Sequence, residues 1–204
     1  MISDLIHNSM DFPRRISRLA TLISDLIPAN ARVLDIGCGD GSLDQLLMAR
    51  RPDITIEGVD VLVREVTHIP VRQFDGKQLP FPDKSFDCAI FVDVLHHANE
   101  QVSLMGEAAR VARQCVIIKD HKVEGVAAFS RLRFMDVVGN ARYGVALPYD
   151  YWEWSKWSQS FNKLQLSLQK IHTDLQLYPW PFDRVFGAGL HFVAKLDTCS
   201  PSKA

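Results

Sequence analysis

The stretch Val33-Leu34-Asp35-Ile36-Gly37-Cys38-Gly39-Asp40-Gly41 constrains this chain more than any other. An apolar strand runs into three alternate glycines, and a helical pattern, Ser42–Arg50, begins at once. Glycine has no Cβ, so the backbone there can turn sharply and approach a ligand at van der Waals distance. The helix start beyond it offers unpaired N–H groups. Asp60 follows at the end of a second strand, Ile54–Asp60. In dinucleotide-binding folds an acid at that place accepts hydrogen bonds from both ribose hydroxyls. The glycines run G-x-G-x-G with Ser42 next, whereas dinucleotide loops favour G-x-G-x-x-G, whose third glycine lets the helix pack close under the pyrophosphate.

The rest of the chain repeats the strand–helix rhythm. Strands are expected at Arg32–Ile36, Ile54–Asp60, His68–Phe74, Phe86–Val92 and Cys115–Lys119, with helices at Ser42–Arg50 and Glu100–Ala112. Phe86–Val92 is almost wholly apolar, as a strand buried on both faces should be. This alternation predicts right-handed crossovers and a parallel, doubly wound α/β sheet. An amphipathic helix at Ile16–Ile27, stopped by Pro28, precedes it. After Lys119 the rhythm breaks. Two helices are expected, Val126–Val138 ended by Gly139-Asn140, and Glu153–Phe161 with Asp150 and Glu153 as a capping-box pattern. Strands at Leu166–Leu177 and Leu190–Leu196 close a seven-stranded sheet whose last strand is antiparallel. The expected organisation is an N-terminal helical segment, 1–28, and one domain, 29–204, with a helical lid at about 121–165.

These residues resemble the class I S-adenosylmethionine-dependent methyltransferases, and within them the type 11 group. The resemblance rests on Val33–Gly41, Gly58-Val59-Asp60, the run from Leu79 to Asp87 (LPFPDKSFD) and Val92-Asp93-Val94-Leu95-His96-His97, which together span about residues 30–120. It implies S-adenosylmethionine as cofactor and S-adenosylhomocysteine as product. By resemblance, Asp35 and the loop Gly37, Cys38, Gly39 and Gly41 face the methionine part, and Asp60 holds the ribose. Val61 lies beside the adenine, Asp75 and Gly76 sit at its amine and ring edge, and Asp93 lies near the methionine moiety or the methyl group. Asp75-Gly76 is also an ordinary turn signal, and Cys38 also reads as a small filler of the loop.

Methyl transfer is an in-line displacement, so the protein chiefly positions the acceptor and, where needed, removes its proton. His121, which follows the fifth strand beside Asp120, and His97 and His96, which follow the fourth, are the candidate bases; His191 reads as structural. Trp154, Trp157 and Phe161 share one helical face, a pattern of core packing. Tyr143, Tyr149, Tyr151 and Trp152 lie outside that stripe and are the candidate wall of an apolar acceptor pocket. No Asn-Pro-Pro-Tyr follows the fourth strand and no Pro-Cys pair offers a nucleophile for cytosine. Arg131, Arg133 and Arg142 could meet an anionic acceptor or simply be the exposed face of a helix.

The formal net charge of -1 speaks against a nucleic-acid-binding surface. Cys38, Cys88, Cys115 and Cys199 are scattered, with no C-x-x-C pair, so free thiols in a reducing cytoplasm and no metal are expected. Neither a signal peptide nor a membrane span is expected, and the tail after Asp197 reads as disordered. The reading that results is methyl transfer to a small-molecule acceptor, on oxygen or carbon rather than nitrogen, by a monomer or homodimer. A cofactor-binding protein without catalysis and an NAD-dependent oxidoreductase stand as alternatives; Ser42 and the lack of a Tyr-x-x-x-Lys dyad weigh against the second.

Overall fold

A computed structural model describes residues 12–140, 149–187 and 189–198. Helix α1 covers Phe12–Ser24, followed by β1 (Arg32–Ile36), α2 (Ser42–Arg50), β2 (Thr55–Asp60), β3 (Val71–Gln73) and β4 (Phe86–Val92). A 3-10 turn, Leu95–His97, leads to α3 (Gln101–Val111) and β5 (Ala112–His121). Next come α4 (Ala128–Asn140), α5 (Trp154–Lys163), β6 (Ser167–His172), a π turn at Asp183–Gly187 and β7 (His191–Asp197). The strands form one sheet in the order β3-β2-β1-β4-β5-β7-β6, parallel from β3 to β5, with β7 antiparallel to β5 and β6.

Successive side chains of a strand point to opposite faces, so apolar β1, β4 and β5 need cover on both sides. On one face Leu34, Ile36, Phe91 and Ile118 pack with Leu104 and Ala108 of α3 and Trp157 and Phe161 of α5. On the other, Val33, Ile90 and Ile117 pack with Ile23 and Leu19 of α1 and Leu47 of α2. Trp157 is 1% exposed and meets Phe192 at 5.2 Å, so α5 is a covering helix of the sheet.

Several boundaries differ from those the periodicity predicts. α1 unwinds after Ser24, although Leu26 and Ile27 remain buried. Strand β3 keeps three residues of the expected His68–Phe74, since Pro70 has no N–H to donate to a ladder. β5 is longer at both ends, because β7 pairs with it as far as His121↔His191 and β4 pairs with Ala112 through Phe86. Of Leu166–Leu177 only Ser167–His172 is strand; the chain then leaves the edge, and Leu175 and Leu177 sink into the opposite core. The expected capping box is not formed. Glu153 is the N-cap without a side-chain bond, and the Asp150 carboxylate instead accepts from Gln101 Nε2 and Trp152 Nε1. Tyr143, Arg142, Cys199 and the tail beyond Thr198 lie outside the described residues, as does the N-terminal stretch before Phe12. Among the described residues, no helix is long and apolar enough to cross a membrane.

Candidate active site

The strand order reverses between β1 and β4, and open α/β sheets bind ligands in the crevice at such a point. The loops after these two strands touch. A Cβ on Gly37, whose φ is +80°, would fall 2.5 Å from Val94 Cγ2, so both space and backbone exclude a side chain there. Gly37 N–H donates to Val59 O at 2.7 Å, tying the loop to β2. Asp60 completes the tie, with Oδ2 accepting Gly39 N–H at 2.8 Å and Oδ1 accepting Leu62 N–H at 2.9 Å. A Cβ on Gly39 would meet nothing within 4 Å, so space is left over the loop. Cys38 turns away from that space. Its Sγ fills the gap beside Gly58, where a Cβ would lie 2.3 Å from it. Val61 and Leu62 are about half exposed, and the turn at Asp75-Gly76 packs back on Val61. Asp75 itself caps that turn, accepting from Lys77 and Gln78 N–H.

Under the loop lies a carboxyl pair. Asp35 and Asp44 are buried, and neither side chain has a donor for Asp35 Oδ1 or for either oxygen of Asp44. Burial raises Asp35 well above the ordinary carboxylate range, and the Asp44 charge adds to this. Burial likewise pushes Asp44 up to about 7. A proton held between the two satisfies what the surroundings do not.

Across the crevice a second polar cluster gathers residues from distant parts of the chain. Asp93 ends β4 in the left-handed region, φ 58°. Its carboxylate receives the ammonium of Lys119 and the guanidinium of Arg15, which α1 extends over the edge. Burial opposes this charge, but Lys119 and Arg15 hold Asp93 well below its ordinary range. Lys119 Nζ also lies 3.3 Å from His191 Nδ1. His191 Nε2 faces Phe186 O at 2.9 Å; a carbonyl only accepts, so Nε2 carries the proton and Nδ1 receives the ammonium.

Asp120 is wholly buried and accepts from Leu95 N–H (3.0 Å), His121 N–H (2.7 Å) and His96 Nδ1 (2.6 Å). The far nitrogen of His96 lies 3.6 Å from Asp136 Oδ2, and the Tyr151 hydroxyl donates to Asp136. Burial works against a charge on His96, but Asp120 and Asp136 outweigh it and push the imidazole up to about 10. Burial and that neighbouring charge push His97 down to about 4. Burial, His96 and Lys119 also lower His121. His121 Nε2 is 3.7 Å from Asp93 Oδ1, and its backbone carbonyl accepts Trp157 Nε1–H at 3.1 Å.

The structure therefore brings His96, His97 and His121 together beside Asp93, with Tyr151 and half-buried Tyr149 above them; Tyr149 lies under the Arg133 guanidinium at 5.0 Å. Trp152 is 4% exposed and packs on Trp157 at 4.9 Å, which places it in the core rather than on a pocket wall. Arg15, Lys119 and Asp136 are missing from the sequence reading. Lys119 carries a signal, a lone charge at the end of the apolar run Cys115–Ile118. Arg15 and Asp136 sit in amphipathic helices and carry none.

A model of a methyltransferase domain matches residues 34–117. The 27-O-demethylrifamycin SV methyltransferase of Amycolatopsis mediterranei is 30% identical over 48% of this chain and 41% of its own length. A ubiquinone/menaquinone biosynthesis C-methyltransferase of Nitrosospira multiformis is 30% identical over 58% of this chain and 53% of its own. A fatty-acid O-methyltransferase of Mycolicibacterium smegmatis is 33% identical over 40% of this chain and 33% of its own. The chain thus matches about half or less of the length of these relatives. Among solved structures, a geranyl diphosphate methyltransferase in complex with S-adenosylmethionine has a TM-score of 0.66 at 12% identity, covering 90% of this chain and 85% of that one. An S-adenosylmethionine-dependent methyltransferase of Aquifex aeolicus has a TM-score of 0.62 at 16% identity, covering 97% and 98%. Glycine loop, sheet order and the sequence matches over residues 34–117 together make this chain similar to the class I S-adenosylmethionine-dependent methyltransferases.

Proposed function

We propose that the protein transfers the methyl group of S-adenosylmethionine to an oxygen or carbon of a small acceptor, held between Asp93 and the pair Tyr149 and Tyr151. The observation that carries this reading is the contact of the two loops at the switch point. It supports a shared site for the space over Gly39 and the imidazole cluster beside Asp93. The relatives named above act on a rifamycin, on quinones and on fatty acids, which supports a small acceptor.

The cofactor half fits its ligand. The unpaired buried oxygen of Asp35 suits the ammonium of an amino acid, and the Asp60 carboxylate suits a ribose diol. The half-exposed apolar surface of Val61 and Leu62, with Asp75-Gly76 beside it, suits an adenine ring. A bound S-adenosylmethionine would supply a sulfonium methyl group, with a neutral thioether as the leaving group. Asp93, fixed by Lys119 and Arg15, orients the methyl end. His121, the imidazole nearest Asp93, takes the acceptor proton, while His96 is committed to Asp120 and Asp136.

Calorimetry should find binding of S-adenosylhomocysteine and none of NAD, and a labelled-methyl assay over small phenols, acids and quinols should find turnover. Binding of NAD in place of the S-adenosyl ligand overturns the reading. His121→Gln should lower kcat at least tenfold and leave S-adenosylhomocysteine affinity within about threefold.

A further inference from the structure

Two carboxylates address one imidazole, that of His96, from its opposite ends. Asp120 takes the Nδ1 proton at 2.6 Å, which leaves Nε2 directed at Asp136 Oδ2 at 3.6 Å. The second separation is too long for a hydrogen bond. It is close to the spacing of two ligands on one small cation, since bonds of about 2.0–2.1 Å at tetrahedral angles set ligand atoms about 3.3–3.4 Å apart. The His97 ring lies against that of His96, with centroids 4.0 Å apart and planes tilted by 47°, and its Nδ1 is buried without a partner among the described residues. One ligand atom each from His96, His97 and Asp136 lies within 4.8 Å of the others. The outer shell is also in place. A carboxylate holding the far nitrogen of a ligating histidine is the usual support of a metal site, and Asp120 is itself fixed by two backbone N–H groups. Tyr151 steadies Asp136.

Two neighbouring groupings with similar spacing do not serve. Asp93, His121 and His191 surround a place where Lys119 Nζ already sits and Arg15 already neutralises the carboxylate. In the set His96, Asp120 and His121, Asp120 already holds the Nδ1 proton of His96 and two backbone N–H groups, so it serves as support of the imidazole rather than as a ligand beside it.

We infer that His96 Nε2, which gives up its proton on binding, an imidazole nitrogen of His97 and Asp136 form a binding site for a divalent transition-metal ion, with a fourth position left for water or an acceptor oxygen. Two imidazoles and one carboxylate suit zinc, cobalt or iron rather than magnesium or calcium, which prefer all-oxygen sites. The sequence reading expects no metal because it finds neither a C-x-x-C pair nor a histidine at metal-ligand spacing, and the fold brings Asp136 to the histidine pair from a distant part of the chain. Only the ion's role toward an acceptor rests on the methyl-transfer reading; the binding itself does not.

Titrating the chelator-treated full chain with Co²⁺ tests this. One equivalent should bind and give the visible absorption of a four- or five-coordinate ion. His96→Ala and Asp136→Asn should each weaken Co²⁺ at least tenfold, and His191→Gln should stay within about threefold of the parent. Binding of S-adenosylhomocysteine is read on every sample, so a variant that fails to fold is recognised and the other decides. A parent protein that binds S-adenosylhomocysteine but takes up no Co²⁺ overturns the site. So does Co²⁺ binding that both ligand variants leave unchanged. Co²⁺ uptake by a protein that ignores S-adenosylhomocysteine upholds the site and sinks the methyltransferase reading instead.

Discussion

The glycine loop and the polar cluster opposite it share one edge of one sheet, yet they are assembled differently. The loop side draws on a short run of chain, from Asp35 to Leu62, and is held by backbone hydrogen bonds to Val59 and by a single carboxylate, Asp60. The cluster side draws on α1, β4, β5, α4, the Tyr151 segment and β7, and is held by charge. Arg15 meets Asp93 across 78 positions, and Lys119 meets His191 across 72. Its three cations, Arg15, Lys119 and His96, balance the carboxylates of Asp93, Asp120 and Asp136. A ligand cradle can be written locally. A buried network of charges needs the whole fold, and is the part most exposed to the loss of one member.

The largest effect should follow from breaking that balance. Asp93→Ala strands the Lys119 ammonium, which is 0% exposed, and removes the partner of Arg15. Removing one partner of a buried pair costs about 3–5 kcal/mol, and urea unfolding should show a loss of that size. A loss under about 1 kcal/mol would place the cluster among ordinary surface pairs and abolish the contrast. Asp60→Ala is the matching change on the loop side. It removes charge-assisted acceptors worth about 1.5–3 kcal/mol each, and S-adenosylhomocysteine should bind at least tenfold more weakly in calorimetry while the fold persists. An unchanged dissociation constant would place Asp60 outside the ligand's reach.

The same contrast sets what the sequence reveals. Gly37 and Gly41 are legible because their positive φ and their contacts with Val94 and Ile69 leave no other residue possible. The central strands are legible because apolar runs such as Phe86–Val92 admit little else, whereas the polar edge strands β3 and β6 keep only part of their expected length. Lys119 shows itself as a charge that an apolar strand should not carry. Asp136 and Arg15 do not, because an amphipathic helix exposes charges as a matter of course and only the fold turns these two inward. Trp152 misleads for the converse reason: it falls outside the stripe of α5, yet its indole packs on Trp157 beside that helix. His96 was readable as an imidazole near the edge, but its commitment to Asp120 and Asp136 was not.

A middle-sized effect probes whether the two sides act separately. Tyr149 and Tyr151 touch the cluster and the insertion but none of the loop residues. Replacing both with Ala should impair acceptor turnover and leave S-adenosylmethionine affinity within about threefold. A larger loss of affinity would show that the insertion closes over the cofactor as well as the acceptor.

The smallest effect would blur the contrast, because the loop side also hides a charge. Asp35 and Asp44 share a buried space with no donor but a proton of their own. In the unfolded chain an aspartate releases its proton near pH 3.9, whereas in the folded protein Asp44 keeps one up to about 7. Between these values the native state binds more protons than the unfolded state. The pair's contribution to stability is therefore full below about pH 4 and is lost as pH rises through about 7. Tm should accordingly decline by a few degrees over this range, since about 1 kcal/mol corresponds to roughly 2–4 °C in a protein of this size. Asp44→Asn removes one of the two charges, leaves Asp35 without its repelling neighbour and should flatten the decline. An ammonium docking at Asp35 replaces the proton as counter-charge, so affinity for S-adenosylhomocysteine should rise as pH goes from about 6 to 8 in the parent and change less in Asp44→Asn. Calorimetry at these two pH values checks it: equal slopes in the two proteins would mean that the pair holds no proton and that the loop side is, after all, built from backbone alone.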